Sequence, residues 1–106
     1  MTWEVAVRVT FVQSGGVAGV PRECEMDTAL LPPEDARELE ALVAASALPV
    51  SGDYRSAEAR DMRVYEIRIG SDAGGVAVTF DDHTLPESAR PLVSYLRRSA
   101  RPRGGA

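Results

Sequence analysis

The sequence has one cysteine, one histidine, no lysine, no asparagine and only 6% aromatic residues. A single Cys24 excludes an intramolecular disulfide and any cysteine-rich zinc module. A single His83 excludes every site that needs two imidazoles. No apolar run approaches the roughly 18 residues of a membrane span, so no membrane contact is expected. The chain opens without a charged-then-apolar leader, which together with the unpaired thiol predicts a cytoplasmic location. All twelve cations are arginine, a pattern that GC-rich coding explains, so no single arginine is read as chosen for its fork geometry.

What is present is an ordinary globular balance of 106 residues, 44% hydrophobic and 26% charged. That length predicts one domain, over residues 1–100, able to bury about two-thirds of its unfolded surface. Residues 101–106 carry arginine, proline and glycine without an apolar anchor and are expected to form a disordered basic tail. The net charge of −4 disfavours a phosphate backbone, so no nucleic acid is expected as a partner.

Residues 4–13 alternate with period two, Val5, Val7, Val9 and Phe11 on one side and Glu4, Ala6, Arg8 and Thr10 on the other. This strand runs into Ser14-Gly15-Gly16, whose glycines suit a hairpin. A second strand is expected with Val20, Cys24 and Met26 inward and Glu23, Glu25 and Asp27 outward. Pro21 confines that part to an edge or a bulge. Pro32-Pro33-Glu34-Asp35 marks a helix start, and Ala36, Leu39, Leu42 and Val43 recur at helical spacing up to a stop near Ser46. Residues 47–59 show no period. Connections that long are uncommon in a compact domain and often functional.

A third strand over 61–69 turns Tyr65, Ile67 and Ile69 inward. A turn at Ser71–Gly75 returns the chain as a fourth strand with Val76, Val78 and Phe80. Thr84-Leu85-Pro86-Glu87 fits a capping box, with Ser88 as a rival cap, before a last helix that faces Leu92, Val93 and Leu96 inward. The order ββαββα predicts an α+β fold, a four-stranded antiparallel or mixed sheet with two helices on one face. With the third strand running the same way as the second, the Ser14–Gly19 tip and the 47–59 connection share one end of the sheet.

Few residues suggest chemistry. His83 has no further ligand at a fixed offset, and reads as a surface histidine ahead of a helix. Cys24, at an inward strand position, reads as a small buried hydrophobe rather than a nucleophile. Ser14-Gly15-Gly16-Val17-Ala18-Gly19 has neither a dinucleotide fingerprint nor a nucleotide-loop lysine, and no helix follows it to hold an anion. Val17 and Ala18 between glycines exceed what a tight turn needs, and a small apolar pair at a loop tip suits insertion into a partner's cleft. The arginines near the C-terminus read as a solvated helix end. The acidic stretch 23–40 reads as the wet side of a strand and a helix, or as a docking face. Tyr54 and Trp3 are the aromatics least committed to core strands, serving as contacts or as peripheral packing.

Taken in order, four segments give the chain a likeness to a known family. They are the strand ending in Ser14–Gly19, Leu30-Leu31-Pro32-Pro33-Glu34 running into Leu39-Glu40-Ala41-Leu42-Val43, the strand Tyr65-Glu66-Ile67-Arg68-Ile69, and Leu85 to Leu96. Together they resemble the emfourin family, small proteinaceous inhibitors of thermolysin-like metallopeptidases related to protealysin. Trp3-Glu4, Cys24 and residues 47–59 depart from the pattern.

The resemblance implies competitive inhibition of a thermolysin-like zinc peptidase, often one encoded nearby, by a chain that is not an enzyme and carries no cofactor or metal. Under it, Ser14, Gly15, Gly16, Val17, Ala18 and Gly19 are the protease-binding residues, with Asp53 and Tyr54 from a second loop. Val17 or Ala18 would fill the apolar pocket beside the scissile bond, and the free protein is expected to be a monomer. Two rivals stand beside this reading. One is a non-catalytic binding module that meets a basic partner through Glu23, Glu25 and Asp27; the other is a small enzyme using Cys24 or His83.

Overall fold

The computed structural model describes residues 6–15, 20–57, 61–71 and 74–102. They form an α+β fold in which a mixed six-stranded sheet carries two helices on one face. The strands are β1 (Arg8–Gly15), β2 (Arg22–Asp27), β3 (Gly52–Asp53), β4 (Arg63–Ser71), β5 (Gly74–Asp81) and β6 (Arg101–Pro102). Their spatial order is β3-β5-β4-β1-β2-β6. The helices are α1 (Pro33–Ser46) and α2 (Arg90–Ser99), and short 3-10 turns occupy Thr28–Leu30 and Glu87–Ala89.

The period-two pattern decides which face is buried. Val9 and Phe11 of β1 stand across from Ile69 and Ile67 of β4, and β5 continues those rows with Val76 and Val78. These residues join Tyr65, Phe80, Leu39, Leu92, Val93 and Leu96 in one core, with Cys24 and Met26 packed at its side. Leu39, Leu92 and Leu96 are fully buried, each contributing about 1.5–3 kcal/mol by transfer from water. The opposite face carries Thr10, Val12, Glu23, Glu66 and Arg68 and stays open, as an antiparallel sheet allows.

Helix α1 keeps the limits that its sequence sets. Pro33 stands at its first turn with Glu34 and Asp35, and the chain leaves it through Ala47 in the left-handed conformation at φ 48°. Because β1 pairs antiparallel with both β2 and β4, β2 and β4 run the same way with β1 between them.

Several expectations are corrected. The sheet has six strands rather than four, because β3 and β6 form by backbone pairing at its two edges. β3 lies parallel to β5, with Gly52 against Val78 and Asp53 against Thr79. β6 pairs Arg101 with Glu23 and Pro102 with Arg22. Arg101 and Pro102 therefore belong to the sheet rather than to a disordered tail, and residues 103–106 lie outside the described residues. Val20 is 57% exposed rather than inward, because β2 begins only after Pro21. The capping box is not formed. The Thr84 hydroxyl accepts from the Asp81 amide at 2.9 Å, and the Ser88 hydroxyl donates to the Ser46 carbonyl at 2.7 Å. Neither α2 nor the turn before it has a side-chain cap. Val5 and Trp3, and Asp72 and Ala73 of the β4–β5 turn, lie outside the described residues.

Candidate functional site

The end of the sheet where β1 runs out is built by pairing first. β1 keeps its register with β4 to the last rungs, Ser14 with Val64 and Gly15 with Arg63. β2 rejoins β1 at Gln13–Arg22, where β6 supports it from the other side. The chain between these rungs therefore leaves from a frame held by β4 and β6.

Gly15 has two reasons to be glycine. Its φ is +81°, and a Cβ there would lie 2.5 Å from the Met62 carbonyl oxygen. Ser14 is half-buried. Gly16, Val17, Ala18 and Gly19 lie outside the described residues. Val20, on the return leg, adds an exposed apolar side chain.

A pair of aspartates fixes the start of β4. Asp82 Oδ1 accepts from the Tyr65 hydroxyl at 2.6 Å, and Asp82 Oδ2 accepts from the Arg63 amide at 3.1 Å. Burial first, and the carboxylate acceptor second, push the Tyr65 hydroxyl above its ordinary pKa. Asp81, fully buried, takes four hydrogen bonds. The Ser56 amide and hydroxyl reach Oδ2 at 2.6 and 2.7 Å, and the His83 and Thr84 amides reach Oδ1 at 2.7 and 2.9 Å. Burial acts to raise the Asp81 pKa, but these donors, Ser56 foremost, outweigh it and hold the carboxyl well below the usual carboxylate range. Asp81 thus ties the segment after β3 to the end of β5, and Asp82 ties β5 to β4, which in turn braces Ser14 and Gly15. Neither aspartate stands out as a site residue in the sequence. The signal that marks Asp81 is an aspartate closing a strand with amides two and three residues on, the pattern of an Asx-turn; the bonds of Asp82 to Arg63 and Tyr65 have no local signal.

Asp53 and Tyr54 stand at the β5 edge of the sheet, away from β1. Asp53 sits in a row with Thr79, Glu66 and Val12, three strand spacings from β1, or about 14 Å. Its carboxylate is gripped by its neighbour Arg55, whose Nε lies 2.9 and 3.0 Å from the two oxygens. That side-chain bond holds the Asp53 carboxyl below its ordinary pKa. The Tyr54 ring stacks on Phe80 with centroids 5.5 Å apart, and its hydroxyl donates to the Val50 carbonyl. Tyr54 thus packs against the core through Phe80, and Val50 is an exposed large hydrophobic residue of the same loop.

Cys24 is half-buried with its thiol on the Leu96 carbonyl at 3.5 Å, and burial pushes its pKa up to about 11. Such a thiol is protonated at neutral pH, the reverse of an activated nucleophile. The His83 side chain is exposed, and among the described residues no group of three or more His, Cys, Asp or Glu side chains is placed to hold a metal ion. No helix among the described residues is long and apolar enough to cross a membrane.

A family-model comparison matches residues 11–97, from β1 through α2, to the model described as Emfourin. Comparison with curated proteins gives no match, and comparison with solved structures gives none either.

Proposed function

The chain belongs to the emfourin family, a membership consistent with a protease-inhibitor role and a protease partner, and from that premise we propose that it is a competitive inhibitor of a thermolysin-like zinc peptidase. Residues Ser14, Gly15, Gly16, Val17, Ala18 and Gly19 enter the active-site cleft, and Val17 or Ala18 takes the apolar pocket beside the scissile bond. Asp53 and Tyr54 border a second, more distant contact. The peptidase is one encoded near the inhibitor, and the free inhibitor is a cytoplasmic monomer of one domain that catalyses nothing itself.

The observation that carries this reading is the bracing of Gly15. A segment that must lie in a cleft without being cleaved binds best when little conformational freedom remains to be lost. Here the loop departs from a residue paired to β4, held at positive φ, and close against the Met62 carbonyl. The rival binding face has less support. Arg8 pairs with Asp27 at 3.7 Å, and Arg68 lines the same hollow of the open face as Glu23 and Glu66, so that face is mixed in sign.

The test is steady-state hydrolysis of a peptide substrate by a thermolysin-like enzyme titrated with the protein. The expected pattern is a rising apparent KM at constant kcat. Replacing Gly16-Val17-Ala18 by bulky charged residues is expected to raise the inhibition constant at least about a hundredfold while the melting temperature holds. An unchanged constant in that variant removes residues 14–19 from the mechanism.

A further inference from the structure

At the last rung of β1 and β2, on the helix-covered side of the sheet, a cleft opens between the strand ends and the last turn of α2. Gln13, Arg22, Ser94, Arg97, Arg98 and Ala100 line it. Gln13 and Arg22 form the final β1–β2 rung before the chain departs for residues 14–21, so the cleft adjoins the roots of the loop.

Two features are unexplained by the fold. The Gln13 Oε1 atom is buried and has no hydrogen-bond partner among the described residues, a condition that costs stability until a donor arrives. Arg22, Arg97 and Arg98 converge on one cleft of a chain whose net charge is −4, and among the described residues none of them joins an ion pair. Arg98 lies over the Tyr95 ring, 5.5 Å from its centroid. The field of a helix C-terminus accounts for cations at Arg97 and Arg98. It does not account for Arg22, which comes from a strand, or for the unpaired amide oxygen.

A ligand that answers both features has a negative group for the guanidiniums and a hydrogen-bond donor a few bonds away. An acidic residue in a polypeptide has both, a side-chain carboxylate and a backbone N–H. Building on the inhibitor reading above, we infer that this cleft receives an aspartate or glutamate of the peptidase, from the rim of its active site. The carboxylate lies against the Arg22 and Arg97 guanidiniums, and a neighbouring backbone N–H donates to Gln13 Oε1. Continuity with the loop roots supports that occupant, because a peptidase that takes residues 14–19 into its cleft brings its rim to this place. A nucleic acid is disfavoured by the net charge and by a lining without aromatic side chains to stack on.

The test is the inhibition constant of Arg22→Glu and Arg97→Glu against a thermolysin-like peptidase, with Arg22→Gln and Arg97→Gln as milder variants and Arg37→Glu, on exposed α1 surface, as a control for net charge. Each reversal is expected to raise the constant at least about tenfold at low salt and less at high salt, where screening weakens the contact. The glutamine variants shift it the same way, and the control stays within about twofold of wild type. Wild-type constants in both reversals, with wild type inhibiting, overturn the inference and leave the inhibitor reading standing. If wild type inhibits no such peptidase, that reading fails and the peptidase falls as occupant. The cleft is then judged by NMR titration with N-acetyl-aspartate amide. Shifts at the Gln13 side-chain amide and the Arg22 Nε that vanish in Arg22→Glu uphold a carboxylate site. Shifts from inorganic phosphate with none from the aspartate amide overturn it.

Discussion

Gly15 and Asp81 show how single residues set the tip end of the sheet. A side chain at Gly15 would meet left-handed backbone strain and a carbonyl 2.5 Å from its Cβ at once. Gly15→Ala is therefore expected to lose about 1–2 kcal/mol, read from the denaturant midpoint at constant m-value, and a wild-type midpoint would contradict the geometry. Asp81 makes a pH prediction. Its carboxyl titrates lower in the folded chain than in the unfolded one, so its stabilisation is complete above about pH 4 and drains away as the pH falls below that value. Asp81→Asn keeps one acceptor but turns a donor toward the amides, at a cost of about 1.5–3 kcal/mol near neutrality. The variant should also lose less stability than wild type between about pH 4 and pH 2. Parallel acid-unfolding curves for the two proteins would contradict the assignment. The local part of the Asp81 bonding, to the His83 and Thr84 amides, has a sequence signal in an aspartate two and three residues before those amides, although no turn is read there from the sequence; Ser56 has none. Its distance of 25 residues from Asp81 becomes a contact only through the β3–β5 pairing.

Among the elements, those carrying their own apolar period were readable, and those made by backbone pairing alone were not. Helix α1 stops and starts where Pro33 and Ser46 place it, because Ala36 and Leu39 recur at helical spacing and a proline opens the first turn. β3 and β6 each hold two exposed residues, so no alternation announces them. The capping box failed for a related reason. Thr84 and Ser88 had hydroxyls at suitable spacing, but the Asp81 amide took the first within a local turn and the Ser46 carbonyl took the second across the fold. The bond from Ser88 to the buried end of α1 joins the turn before α2 to the other helix. Ser88→Ala is expected to cost about 0.5–1.5 kcal/mol and to raise amide exchange in the last turn of α1 and the first of α2. Unchanged exchange at both would show that apolar packing alone holds the helices together.

At the level of the whole molecule, the architecture separates support from contact. One face of the sheet is sealed by α1 and α2, and the rungs at its end reach Gly15 through β4, Asp82 and Asp81. The glycine-flanked loop was legible as a candidate contact because Val17 and Ala18 exceed the needs of a turn. Asp53 and Tyr54 were legible only as residues of an aperiodic loop. Arg55 and Phe80 engage them in ways that sequence spacing does not reveal. The central claim is that residues 14–19 occupy a peptidase cleft, and a crystal structure of the inhibitor bound to a thermolysin-like enzyme tests it most directly. The account predicts Val17 or Ala18 in the apolar pocket next to the catalytic zinc, with Gly15 still paired to β4. A complex in which residues 14–19 face solvent while another surface covers the cleft would contradict it.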